Sequence, residues 1–227
     1  MVFEALSERL AQVRAELARL APQPVTIVAV TKGFGIDAIR AARGAGLADI
    51  GENRVQEAVN KQEELGARSQ ELGIRWHLIG HLQRNKAKLV SGRFELVHSV
   101  DSAELATELS KRATSPVRVL LQVNVASEPQ KSGCTLEAAP ALARQVAALE
   151  HLRLEGLMTM APFTDDANVQ RRTFRGLRTL RDSIQEEEGL WLPTLSMGMS
   201  GDYASAVQEG ATVIRLGTVL FGPRETP

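Results

Sequence analysis

The chain has one cysteine, Cys134, so it can form no internal disulfide and no thiolate metal cluster. Its four histidines, His77, His81, His98 and His151, lack the paired spacing of a zinc site; His77 and His81 are four apart but straddle what reads as a strand end, not a helix face. Lys and Arg balance Asp and Glu at 27 each, which removes the bulk attraction that nucleic acid or an acidic membrane would need. No apolar run is long enough to cross a bilayer. The first stretch, residues 1–20, carries Leu6, Leu10, Val13, Leu17 and Leu20 at helical spacing and has no basic flank before an apolar core, so it does not read as a signal peptide. The expected location is the cytoplasm. Aromatics are only 4%, so the core must come from Val, Leu, Ile and Ala.

What is present is an alternation. Short β-branched or apolar runs at 25–31, 48–51, 75–80, 96–100, 117–125, 153–158, 194–197 and 212–216 read as strands. Helical periodicity fills the intervals at 36–45, 54–65, 84–90, 103–113, 136–149, 168–187 and 203–209, and an extra helix at 3–20 precedes the first strand. Eight strands joined by helices, with no Pro- or Ser-rich linker, predict one closed parallel (β/α)8 barrel spanning 1–227 as a single domain. An open doubly wound sheet is the competing architecture, and the strand count favours the barrel.

In such a barrel the chemistry gathers at the C-terminal strand ends. Lys32 ends the first strand, Glu52 and Asn53 the second, and Arg215 and Gly217 the eighth; His77 lies within the third, Ser99 and Asn124 near the ends of the fourth and fifth, and Thr159 follows the sixth. A lysine leaving the barrel wall is partly desolvated, which favours the neutral amine able to form a Schiff base with an aldehyde. The plainer alternative is an ammonium reaching solvent past the strand end. The turn at 196–202 (SMGMSGD) offers backbone N–H groups and a hydroxyl before a helix, and Gly217 and Thr218 offer more after the eighth strand. Together they form the two halves of the phosphate cradle common after strands seven and eight of barrels. Two ordinary glycine turns are the alternative. Strand alternation points Arg215 into the barrel mouth, where a cation needs a partner. A pyridine nitrogen is one; a salt bridge to Glu52, Asp202 or another acid is the other. The residues alone favour His77 as a satisfied core histidine, and Lys131, in a long loop after the fifth strand, as a solvated lysine.

These segments resemble one family. The motifs at 29–32 (AVTK), 51–57 (GENRVQE), 76–80 (WHLIG), 82–86 (LQRNK), 131–133 (KSG), 156–158 (GLM), 195–200 (LSMGMS) and 213–217 (VIRLG) cover nearly the whole chain and are similar to the pyridoxal phosphate homeostasis proteins, which look like the barrel domain of alanine racemase standing alone. The resemblance implies a type III-like fold for pyridoxal 5'-phosphate (PLP). It makes Lys32 the Schiff-base lysine, places Ser200 and the Gly217–Thr218 turn on the phosphate and Arg215 near the pyridine nitrogen, and lines the pocket with Asn53 and His77. Lys131 matches a lysine linked in some members to a second cofactor site. Tyr203 stands where the family commonly has methionine and is expected to alter the pocket wall; Gly33 and His81 also depart from the usual pattern.

Two functions follow. One is a PLP carrier that buffers the cofactor or delivers it to apo-enzymes dependent on it, as a monomer without turnover of its own. The other is an amino-acid racemase. A racemase of the alanine type needs a second base, a tyrosine presented with a C-terminal β-domain; the chain ends at Pro227 and its one tyrosine, Tyr203, lies beside the phosphate turn. The carrier is therefore the expectation. An aldolase using Lys32 is a third reading, for which no acid/base pair can be assigned.

Overall fold

The computed structural model describes residues 3–21 and 23–223; the remaining positions of the expected 1–227 unit lie outside the described residues. Eight parallel strands close into a barrel in sequence order: β1 (Thr26–Val30), β2 (Asp49–Glu52), β3 (Arg75–Leu78), β4 (Leu96–Val100), β5 (Val117–Gln122), β6 (Leu152–Met158), β7 (Thr194–Ser196) and β8 (Val213–Leu216). Closure is made by β1 on β8, with Thr26 opposite Val213 and Ala29 opposite Leu216. The expected closed barrel is the observed one, and the open sheet is not.

Helices ring the strands: α1 (Leu6–Leu20), α2 (Ile36–Gly44), α3 (Val55–Leu65), α4 (Arg68–Glu71), α5 (Ala103–Arg112), α6 (Ala139–Ala147), α7 (Ala167–Glu188), α8 (Tyr203–Gln208) and α9 (Thr218–Phe221). The extra helix α1 buries Leu6, Leu10, Val13 and Leu17, one stripe at helical spacing, each contributing roughly 1.5–3 kcal/mol relative to exposure. Asp166 caps α7 by accepting from Asn168 N–H at 2.8 Å, and Gly189 ends it in the left-handed conformation.

Three expectations shift. Residues 84–90 form a 3₁₀ turn (Arg84–Leu89), not an α-helix; within it only Ala87 is buried, so no apolar face supports a longer helix. The fifth strand ends at Gln122: Val123 N–H still donates to Met158 O of β6, but Asn124 N–H turns to Cys134 O in the following loop, each at 2.9 Å. The short helices α4 and α9 have too few residues to show a periodic pattern, and the sequence reading passes over both.

Barrel interiors are filled mostly by branched apolar side chains. This one is mixed. Leu120, Met158 and Leu96 pack together, but Asp49, His77, His98, Ser196 and Arg215 are buried as well. Buried polar groups cost free energy unless hydrogen-bonded. Where their partners lie defines the site.

Candidate functional site at the carboxyl ends of the strands

The cradle comes first. Gly217, between β8 and α9, donates its N–H to Ser200 Oγ at 3.3 Å, and Val219 N–H donates to the same oxygen at 3.2 Å. Ser200 lies in the turn after β7, so one hydroxyl joins the two turns that the sequence proposes as a pair. Two N–H groups converging on one oxygen is the arrangement a phosphate oxygen needs. Val219 is a donor the sequence reading did not name. Thr218 is exposed beside it, as the first residue of α9. Gly198 shapes the turn: its φ is 95°, and a Cβ there would meet Ala206 at 2.7 Å.

Lys32 is half-buried in the turn directly after β1, the strand hydrogen-bonded to β8. Its neighbours are pinned on both sides. Thr31 Oγ1 donates to Glu52 Oε1 at 2.5 Å, and Gly33 N–H donates to Glu57 Oε1 at 2.7 Å. Lys61, on α3, ties these together by donating to Thr31 O (2.9 Å), Glu52 Oε1 (2.7 Å) and Glu57 Oε1 (2.8 Å). Burial pushes the Glu52 carboxyl up despite Lys61, and its Oε2 has no partner. Burial also pushes Glu57 up, but Lys61 and the Gly33 N–H outweigh it and hold that carboxyl below its usual range. Beyond Gly33, Phe34 packs with Phe3 and Phe221, the ring centroids 5.5 to 5.8 Å apart, which docks the lysine turn on α9 and so beside the cradle.

Arg215, 4% exposed within β8, donates to Ser196 Oγ at 2.7 Å and to Thr159 O at 3.0 Å. Both partners are neutral. The salt bridge weighed from sequence is not made: Glu52 pairs with Lys61, and Asp202 Oδ1 accepts from Met199 N–H at 2.5 Å. Burial lowers the guanidinium to about 10, so it stays cationic at neutral pH. A cation held by neutral oxygens is suited to a ring nitrogen as a further acceptor. Asn53 is half-buried just after β2, and its backbone packs on Gly80 so closely that a Cβ there would meet Asn53 O at 2.3 Å.

Three expectations are corrected. His77 does not offer a ring nitrogen to the mouth: Nε2 is 3.0 Å from Asp49 Oδ1 and Nδ1 is 3.0 Å from His98 Nε2, inside the barrel. The satisfied-core reading describes it. Tyr203 has no free hydroxyl to offer the pocket, because it donates to Glu16 on α1; burial, then Glu16, pushes the phenol up to about 12. Lys131 is not solvated: its side chain is 20% exposed, its Nζ donates to Ala161 O at 2.8 Å, and it pairs with Glu128. Asn124, just after β5, closes the same loop by donating its side-chain amide to Glu128 O at 2.8 Å.

The sequence matches the alanine racemase N-terminal domain family over residues 4–225. A pyridoxal phosphate homeostasis protein of Pseudomonas aeruginosa is 42% identical, over 97% of this chain and 96% of its own length. One from Aquifex aeolicus is also 42% identical, over 88% and 87%. Among solved structures, PipY of Synechococcus elongatus with PLP bound superposes with a TM-score of 0.85 at 39% identity, covering 96% of this chain and all of that one. Alanine racemase of Corynebacterium glutamicum superposes with a TM-score of 0.76 at 14% identity; the match takes in 99% of this chain but 62% of the racemase, and shows the shared barrel alone. The chain is a member of the alanine racemase N-terminal domain family and, within it, of the pyridoxal phosphate homeostasis proteins.

Proposed function

We propose that this protein binds pyridoxal 5'-phosphate as a Schiff base on Lys32 and serves PLP homeostasis, buffering the cofactor or delivering it. The observation that carries the reading is the convergence of the Gly217 and Val219 N–H groups on the Ser200 hydroxyl, one strand away from Lys32. The donor set fits the group: N–H and hydroxyl donors for a phosphate, an amine for an aldehyde, and a permanent cation for a pyridine nitrogen. When bound, PLP supplies an aldehyde and an electron-withdrawing ring.

The chain's own residues then divide the work. Ser200, Gly217, Thr218 and Val219 hold the phosphate. Asn53 lines the pocket wall. Arg215, which has no proton acceptor of its own, keeps the ring nitrogen unprotonated and so weakens the ring as an electron sink. That favours holding over turnover. His77 stands one step back, behind His98. A racemase would need a second base opposite Lys32, and the hydroxyl of the one tyrosine, Tyr203, is engaged by Glu16. The protein acts, on this reading, as a single-domain monomer of the cytoplasm whose partners are PLP and the apo-enzymes that receive it. No described helix is long and apolar enough to cross a membrane.

The test is direct. Purified protein reconstituted with PLP should show a visible absorption band, and borohydride should fix the cofactor on the peptide containing Lys32. A colourless protein that takes up no PLP overturns the proposal. Steady conversion of an L-amino acid to its D form, lost in Lys32→Ala, would replace the carrier with the racemase.

A further inference from the structure

Five buried polar side chains form one continuous string through the barrel. Asp49 Oδ1 lies 3.0 Å from His77 Nε2, His77 Nδ1 lies 3.0 Å from His98 Nε2, His98 Nδ1 lies 2.8 Å from Ser196 Oγ, and Ser196 Oγ lies 2.7 Å from Arg215 Nη1. The members come from β2, β3, β4, β7 and β8. All are buried, His98 and Ser196 completely. At its lower end Asp49 is clamped by Arg75 through two bonds of 2.8 and 2.5 Å at the amino end of the barrel.

The hydrogens can be placed by elimination. Arg215 only donates, so Ser196 Oγ accepts from it. The Ser196 hydroxyl must then spend its own proton on His98 Nδ1. Burial, with the nearby His77 and Arg215, holds His98 well below its usual range, so the ring is neutral and its proton sits on Nε2. That proton goes to His77 Nδ1, and His77 Nε2–H goes to Asp49. Burial would raise the Asp49 carboxyl, but His77 and Arg75 hold it down to about 2, so it is an anion and can only accept. Every bond therefore runs one way, from the arginine to the carboxylate. No other assignment satisfies Ser196 without giving it two donors and nowhere to donate.

We propose that Asp49, His77, His98 and Ser196 are positioning residues for Arg215: the one-way string holds the Ser196 lone pair on the guanidinium and so fixes the cation that meets the PLP ring. The proposal rests on the PLP reading given above. A string of this kind is sensitive at every link, because a reversed tautomer at His98 would put a second donor on Ser196 Oγ and leave its own buried hydroxyl proton without an acceptor. It also explains why polar side chains fill a barrel core that branched apolar ones normally occupy.

Ser196→Ala cuts the string at one atom with the smallest change in volume. It should raise the PLP dissociation constant about tenfold, the size expected for one lost hydrogen bond to a charged group, and shift the absorption maximum of the bound form. His98→Leu should act in the same direction, and the double variant should be no worse than the more affected single one. In the cofactor-free wild type at pH 7, long-range ¹H–¹⁵N NMR should show His77 and His98 both as Nε2–H tautomers. If Ser196→Ala lowers only the melting temperature and leaves affinity and absorption unchanged, or if His98 carries its proton on Nδ1, the proposal is overturned while the PLP reading stands. A wild-type protein that binds no PLP overturns both. Should His98→Leu fail to fold, Ser196→Ala and the NMR measurement decide alone.

Discussion

Two buried networks flank the mouth, and they solve the same problem differently. Beside Lys32, the cluster of Lys61, Glu52 and Glu57 is built from full charges, two of them one helical turn apart on α3. Beneath Arg215, the string passes through the imidazoles of His98 and His77 and has the full charges of Arg215 and Asp49 at its ends. The charged cluster leaves Glu52 Oε2 without a partner, whereas every ring nitrogen of the two histidines has one. Buried ion pairs are costly when one member is lost, and weak as sources of net stability. The comparison teaches that the lysine turn is held by electrostatic force from outside the barrel, and the arginine by directional bonds from inside it.

The largest effect expected is at the mouth itself. Lys32→Ala should abolish borohydride fixation of PLP altogether, read by mass spectrometry of the peptide, and leave the string under Arg215 intact. Next comes the charged cluster. Lys61→Met strands Glu52 in the core and should destabilise the protein by about 3–5 kcal/mol in denaturant unfolding. Adding Glu52→Gln should recover part of that loss, since it removes the uncompensated charge; no recovery would mean that packing, not charge, holds the turn. A smaller effect probes the string's lower end. With the Asp49 carboxyl at about 2 against an ordinary 3.8, the unfolded chain takes up the proton first as pH falls. Its contribution to stability is thus fully present above pH 3.8 and lost as pH falls toward about 2. In Asp49→Asn the melting temperature should fall less steeply across that window. The smallest effect should come from Tyr203→Phe, a loss of about 0.5–1.5 kcal/mol for the bond to Glu16, with the PLP spectrum unmoved. A changed spectrum would place the ring in the pocket wall after all.

The sequence made the two networks unequally legible. Glu52, Glu57 and Lys61 lie within ten positions of one another, and Glu57 and Lys61 stand at the i,i+4 spacing that pairs charges on a helix. That signal is local and legible, and it sets Lys61 beside both carboxylates. His98 and Ser196 are 98 positions apart, and no local pattern joins them. Tyr203 and Glu16 are 187 apart, so nothing local in the sequence signals the bond between them.

By itself the sequence determined the number of strands, the barrel they make, the extra helix α1, the lysine at the end of β1 and the paired turns after β7 and β8. Strand and helix periods are local properties, and the barrel rule then says which strand ends face the chemistry. Only the tertiary structure decided what each buried polar group bonds to: that Arg215 meets neutral oxygens rather than an acid, that His77 faces inward, and that Lys61 guards the lysine turn. Closing the barrel brings β2, β3, β4, β7 and β8 around one axis, and a hydrogen bond forms only where two side chains come within about 3 Å, a condition sequence spacing cannot express.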